Sequence, residues 1–182
     1  MYYENVQWTL KKIPQISEEI SSPKFVYVHI LVPHPPYIFS STGEYPAYND
    51  PMTFTPQRYV DAVSYIDEQI VTVVRQILEN SSSPPVILIQ GDHGFSRGVS
   101  DNRTSGILNA YFLPGVKYSE HLYPSISPVN SFRLVFNLYF DANMNLLPDE
   151  IYRDRREVDP QSGNSPYDFF QYNPNDNCSN EK

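Results

Sequence analysis

The chain has 182 residues, with 40% hydrophobic and 19% charged side chains, a globular composition large enough for one ordinary domain with a core of its own. Twenty-one acidic against 13 basic residues give a formal charge of −8, which argues against a nucleic-acid binder. One cysteine, Cys178, excludes an internal disulfide framework and a multi-cysteine metal site. No apolar run approaches the roughly 20 residues of a membrane span, and residues 1–8 lack the basic start and apolar stretch of a secretory leader. Seventeen prolines, about 9% against a usual share of about 5%, are scattered and point to long shaped loops on a folded scaffold.

Residues 1–21 read as an amphipathic lead-in, with Ile13, Ile16 and Ile20 at helical spacing. Lys24 to Val32 (KFVYVHILV) is apolar, β-branched and aromatic on both alternating faces, as a strand buried in a parallel sheet requires. His29 inside it is expected to be a core or wall residue. A loop of about two dozen residues follows, Pro33 to Pro56, and loops of that length are more often functional than idle. Thr55 and Pro56 then supply a cap and a first-turn proline. Tyr59, Val63, Ile66, Ile70, Val73 or Val74, and Ile77 predict a helix of about six turns.

Ser81-Ser-Ser-Pro-Pro85 ends that helix, and residues 86–90 (VILIQ) predict a second buried strand. Strand, crossover helix and strand make one βαβ unit, nearly always right-handed. Residues 95–106 are a polar loop, and Ile107 to Leu113 form a third strand. Ser127 and Pro128 start a last helix through about Phe140, with Val129, Phe132, Val135, Phe136 and Tyr139 on its apolar face. The expected fold is therefore α/β, a three-layer, mostly parallel sheet flanked by helices. Its divisions are a lead-in at 1–21, the α/β domain at 22–148 and a polar tail at 149–182.

Two turns carry chemistry. Gly91-Asp92-His93-Gly94 leaves the carboxyl end of a strand, where ligands of open α/β sheets sit. A carboxylate and an imidazole side by side suit Zn²⁺ or Mn²⁺, and the glycines allow a sharp turn. The same four residues are also compatible with a plain turn in which Asp92 caps the following segment. Pro33-His34-Pro35-Pro36-Tyr37 likewise follows a strand, and its prolines hold His34 in place, either to meet a phosphate or merely to pack at the surface. Arg103, leading into the third strand, can pair with an anionic substrate or stand as a surface arginine. His121 has no local assignment. Asn80, Asn102 and Asn177 fall in Asn-x-Ser/Thr patterns of little weight.

The order of these parts resembles the carboxyl-terminal half of the sulfatase-like branch of the alkaline phosphatase superfamily. The resemblance runs over roughly residues 22–148, through the Pro-His loop, residues 59–70 (YVDAVSYIDEQI), Gly-Asp-His-Gly and residues 102–115 (NRTSGILNAYFLPG). The lipoteichoic acid synthase and phosphoglycerol transferase group is the most similar. The resemblance implies that Asp92 and His93 bind a divalent metal, Zn or Mn, and that His34, assisted by Arg103, holds the substrate phosphate. It also implies a phospho- or sulfo-ester substrate, such as one linked to a lipid or glycan, and an extracytoplasmic, membrane-anchored full-length enzyme. The family's nucleophile and a further acidic ligand stand well before the Pro-His loop. Only 33 residues precede His34 here, and Thr9 lacks a strand or glycine-rich setting. The expectation is the carboxyl-terminal part of a longer enzyme, incompetent without its amino-terminal half. Two alternatives stand beside it: a non-catalytic binding module of the same fold, and an interaction domain that uses Tyr37, Tyr45 and Tyr48.

Overall fold

The computed structural model describes residues 1–47, 49–94, 106–154 and 169–172. Tyr48, Asn102, Arg103, Asn177 and Cys178 lie outside them. The chain forms two compact units, residues 1–84 and 85–182.

In the first unit, helix α1 (Tyr2–Lys12) runs into a 3-10 turn at Ile13–Gln15 and a short α2 (Ile16–Glu19). α1 buries Val6 and Leu10, so the lead-in belongs to the core, while Ile20 is exposed. Helix α3 (Pro56–Asn80) begins as its sequence predicts: the Thr55 hydroxyl accepts the Arg58 N–H at 3.2 Å and Pro56 takes the first turn. Ala62, Tyr65, Ile66 and Val73 are buried, with Tyr59, Ile70 and Ile77 packed beside them, which is the predicted face.

The core of this unit comes from the loop as much as from the helices. Tyr37, Ile38 and Phe39 are buried, and Phe39 stacks on Tyr65 with ring centroids 4.4 Å apart and meets Tyr3 in a tilted pair at 4.9 Å. The loop closes on itself through Tyr37 N–H to Pro51 O (2.8 Å) and Ser40 N–H to Glu44 O (2.9 Å). Gly43 sits at φ +86°, and a Cβ there would lie 2.4 Å from the Tyr65 ring, so only glycine fits. The Arg58 guanidinium donates to the carbonyls of Asp50 and Thr53, tying the loop's far end to the start of α3.

Residues 24–32 depart from expectation. They carry no strand, and residues 24–31 are exposed apart from a partly covered Ile30; Phe25 and Tyr27 keep 76% and 77% of their surface. His29 is exposed rather than a core or wall residue. The physical reason is lateral: a strand exists only through a ladder. Among the described residues, the strand pairings join β1 to β2 and β3 to β4, and residues 24–32 take part in neither.

The second unit opens with strand β1 (Ile87–Gln90), paired antiparallel with β2 (Asn109–Phe112) from Ile87↔Phe112 to Gln90↔Asn109. Gly91 N–H to Leu108 O, 2.9 Å, extends the ladder by one step. Helix α4 (Pro128–Phe140) ends on Asp141 at φ +51°. Strands β3 (Ile151–Asp154) and β4 (Phe169–Tyr172) form a second antiparallel pair. Strands and helices of an α/β composition are therefore present. The described strands pair antiparallel, two and two, and the expected mostly parallel, three-layer sheet is not among their pairings.

Helix α4 has its expected limits, and Val135 and Tyr139 face the core as expected, but the rest of its inner face differs. Asn130, Ser131, Leu134 and Val135 are buried, while Val129, Phe132 and Phe136 are exposed. Leu113, Leu134 and Val135 form the small apolar core, with Leu88, Tyr111 and Tyr139 packed around it. Hydrogen bonds account for the rotation. The Asn130 amide pairs with Leu147 on both sides, accepting its N–H at 2.9 Å and donating to its carbonyl at 2.8 Å. Asn137 repeats the pairing one heptad later with Met144 (2.6 and 2.8 Å), so residues 144–147 lie strapped along the helix.

Asp149 closes the strap at the amino end of α4. It accepts the Ser127 N–H and hydroxyl, both at 2.7 Å, the Asn130 amide at 3.0 Å and the Tyr123 hydroxyl at 2.5 Å. Burial alone would raise its pKa; the donors from Tyr123, Ser127 and Asn130 outweigh it and hold the carboxyl below the ordinary range. The position of a carboxylate at a helix amino terminus agrees with the helix dipole.

Candidate functional site

The Asp92–His93 turn is built by the end of β1. Once the ladder stops at Gly91, the chain has no sheet partner to follow. Asp92 then accepts the His93 N–H on Oδ1 at 3.0 Å, a local bond that turns the backbone. The His93 ring faces back on its own chain: Nδ1 lies 2.7 Å from Gly94 O. A carbonyl can only accept, so Nδ1 carries the proton, and in the neutral ring Nε2 keeps its lone pair.

That arrangement is the usual way of preparing a metal-ligating histidine, one ring nitrogen donating to a carbonyl while the other coordinates. His93 Nε2 lies 3.9 Å from Asp92 Oδ2, and the side chains are 50% and 84% exposed. Two donors sharing a tetrahedral ion at ordinary ligand distances would stand about 3.3 Å apart, about 0.6 Å closer than this pair. The donor set fits a divalent ion, filling two of the usual three or four protein positions. Among the described residues no group of three or more His, Cys, Asp or Glu side chains gathers at metal-binding distance.

His34 is presented by the same device in the first unit. Its N–H donates to Leu31 O at 2.7 Å, and its Nδ1 donates to Pro35 O, also at 2.7 Å, leaving an exposed ring with Nε2 open. The flanking Val32 and Tyr37 are buried, which anchors the short exposed stretch at both ends. Tyr37 is thus a core residue, not the surface contact that an interaction loop would use. Tyr45 is exposed and edge-on to Tyr3 at 5.6 Å. His121 closes a 3-10 turn (Tyr118–Glu120) through its N–H to Tyr118 O at 3.0 Å.

Behind the Asp-His turn lies a set of residues that sequence patterns did not single out. Gln90 donates to Asn109 Oδ1 (2.7 Å) and to Ser131 Oγ (2.6 Å), and Ser131 Oγ also pairs with Tyr111 OH (2.7 Å). A signal was present: a glutamine ends an otherwise apolar strand, and Asn-Ser interrupts the apolar face of a helix.

The Sulfatase family model matches residues 2–132, a span that contains α1, the His34 loop, α3, the Asp92–His93 turn and the start of α4. The chain belongs to the sulfatase family. That places it in a superfamily of alkaline phosphatase-like α/β enzymes that act on sulfo- and phospho-esters, typically with a divalent metal. No curated protein and no solved structure matches the chain. No helix among the described residues is long and apolar enough to cross a membrane.

Proposed function

We propose that this chain carries the metal-binding and substrate-binding part of a sulfatase-like phosphotransferase or hydrolase. The observation that carries this reading is the Asp92–His93 turn, where a carboxylate and an open imidazole nitrogen project together from the end of a strand. Asp92 Oδ2 and His93 Nε2 bind a divalent ion, Zn or Mn. Such an ion supplies a lowered nucleophile pKa and neutralises charge on the ester's nonbridging oxygens. As an imidazolium, with Nδ1 kept on Pro35 O, His34 donates from Nε2 to the phosphate or sulfate of the substrate, and Arg103 assists. The remaining ligands and the Thr, Ser or modified nucleophile come from a preceding segment of the same enzyme. These 182 residues alone therefore turn over little or nothing.

Within the superfamily we assign the chain to the lipoteichoic acid synthase and phosphoglycerol transferase group, on the Pro-His-Pro-Pro-Tyr loop and the Asp-His turn. The substrate is then a lipid- or glycan-linked phosphoester outside the cytoplasm, handled by a membrane-anchored enzyme. The parallel, three-layer sheet of that group would pair residues 24–32 as a strand, which their apolar, β-branched sequence supports.

Calorimetric titration of the chain with Zn²⁺ and Mn²⁺ tests the reading. Saturable binding is expected, abolished by Asp92→Ala or His93→Ala. Its absence in the native chain would favour a non-catalytic relative of the same fold. Metal-dependent diesterase activity from these residues alone, lost on Asp92→Ala, would overturn the claim that the nucleophile lies elsewhere.

A further inference from the structure

Gln90 ends β1 two residues before Asp92, and its side chain is far better fastened than the turn it precedes. Asp92 and His93 hold one another and Gly94 through local bonds only. Nothing in those bonds fixes how the turn leaves the sheet. Two features of the described residues do: the Gly91 N–H bond to Leu108 O, and the Gln90 amide.

The amide reaches into a network built from both strands and the first turn of α4. Gln90 Nε2 donates to Asn109 Oδ1 and to Ser131 Oγ. Ser131 is 0% exposed, and its hydroxyl is shared with Tyr111 OH. Asn109 Nδ2 in turn donates to Ile126 O at 3.0 Å, just before α4. Leucine at 90 and alanine at 131 would satisfy packing without placing polar atoms where each unmet partner costs about 1–3 kcal/mol. What the polar version adds is a single geometry: an apolar strand end can slide or rotate over a helix, whereas a hydrogen-bonded one fits in one register.

Resting on the reading of Asp92 and His93 as metal donors, we propose that Gln90 and Ser131 are positioning residues. They lock the carboxyl end of β1 to α4 and so set the direction in which the donor pair leaves the sheet. Ligand pairs must be held to within roughly 0.5 Å of productive geometry, and partners bonded to a ligand itself are typically worth 10–100-fold in metal affinity, so a support one step removed should act at the lower end of that range.

The test compares Zn²⁺ affinity of the whole chain, by calorimetry, with residue-resolved hydrogen exchange in the native protein, Gln90→Leu, Ser131→Ala, Ser131→Thr and Asp92→Ala. Gln90→Leu and Ser131→Ala are expected to weaken Zn²⁺ binding about tenfold. Their exchange should rise at Gly91–Gly94 without a matching rise at Leu134 and Val135, and Ser131→Thr, which keeps the hydroxyl, should restore affinity. General destabilisation would raise exchange everywhere, and that result, or failure of both variants to fold, would overturn positioning in favour of a structural role. Unchanged affinity in both variants would also overturn it while leaving the metal reading intact. A native chain that binds no Zn²⁺, or binds it equally after Asp92→Ala, would sink the metal reading, and this inference with it.

Discussion

In the first unit the segment that presents His34 is held by rings: Phe39 lies between Tyr3 and Tyr65, and Tyr37 is buried close by. In the second unit the segment that presents Asp92 and His93 is backed by the Gln90 and Asn109 amides and the Ser131 and Tyr111 hydroxyls. Both units then use the same local device, a histidine Nδ1 donating to the next residue's carbonyl. Apolar stacking gives a loop a large, non-directional stabilisation, which would suffice for a histidine in the proposed role of facing an anion. Directional hydrogen bonds give less net energy and more geometric definition, which would suit the proposed pair of metal donors.

The comparison can be broken first in the ring-held unit. Phe39→Ala removes a fully buried ring and should cost about 3–5 kcal/mol, read from denaturant unfolding followed by Trp8, the chain's one tryptophan and a residue of the same unit. A loss below about 1 kcal/mol would mean that the loop is not part of that core.

A smaller effect is expected in the amide-held unit. Asn130→Ala strands the Leu147 N–H and carbonyl and removes a donor to Asp149, at a cost of about 2–3 kcal/mol. Exchange at Leu134 and Val135 is the readout, and Asn130→Asp should not rescue it, because a second carboxylate would face Asp149.

The smallest effect is the acid limb. The folded pKa of Asp149 lies below its ordinary value of 3.8, so its contribution is full above that value. It is lost as pH falls through the lower folded value. Asp149→Asn should flatten the loss of second-unit stability below about pH 4, and an acid limb of unchanged slope would remove Asp149 as its source.

How much of this could be read from the chain differs by element. The start of α3 at Thr55-Pro56, its apolar face, the position of β1 and the limits of α4 all follow from caps, prolines and periodicity, which act within a few residues. The Asp92–His93 turn and the His34 loop were legible for the same reason, since glycine and proline punctuate the backbone locally. The inner face of α4 was legible only at Val135 and Tyr139. Periodicity weighs Val129, Phe132 and Phe136 as core, and cannot count the bonds that Asn130 makes with Leu147 and Asp149, 17 and 19 residues away. Residues 24–32 show the same limit from the other side: their composition is that of a strand, yet a strand needs a neighbour. Local chemistry determined which segments turn, cap and coil, and where the donors stand. Tertiary structure decided which side chains lost water and which polar atoms found partners, because those energies belong to pairs of segments and not to either one alone.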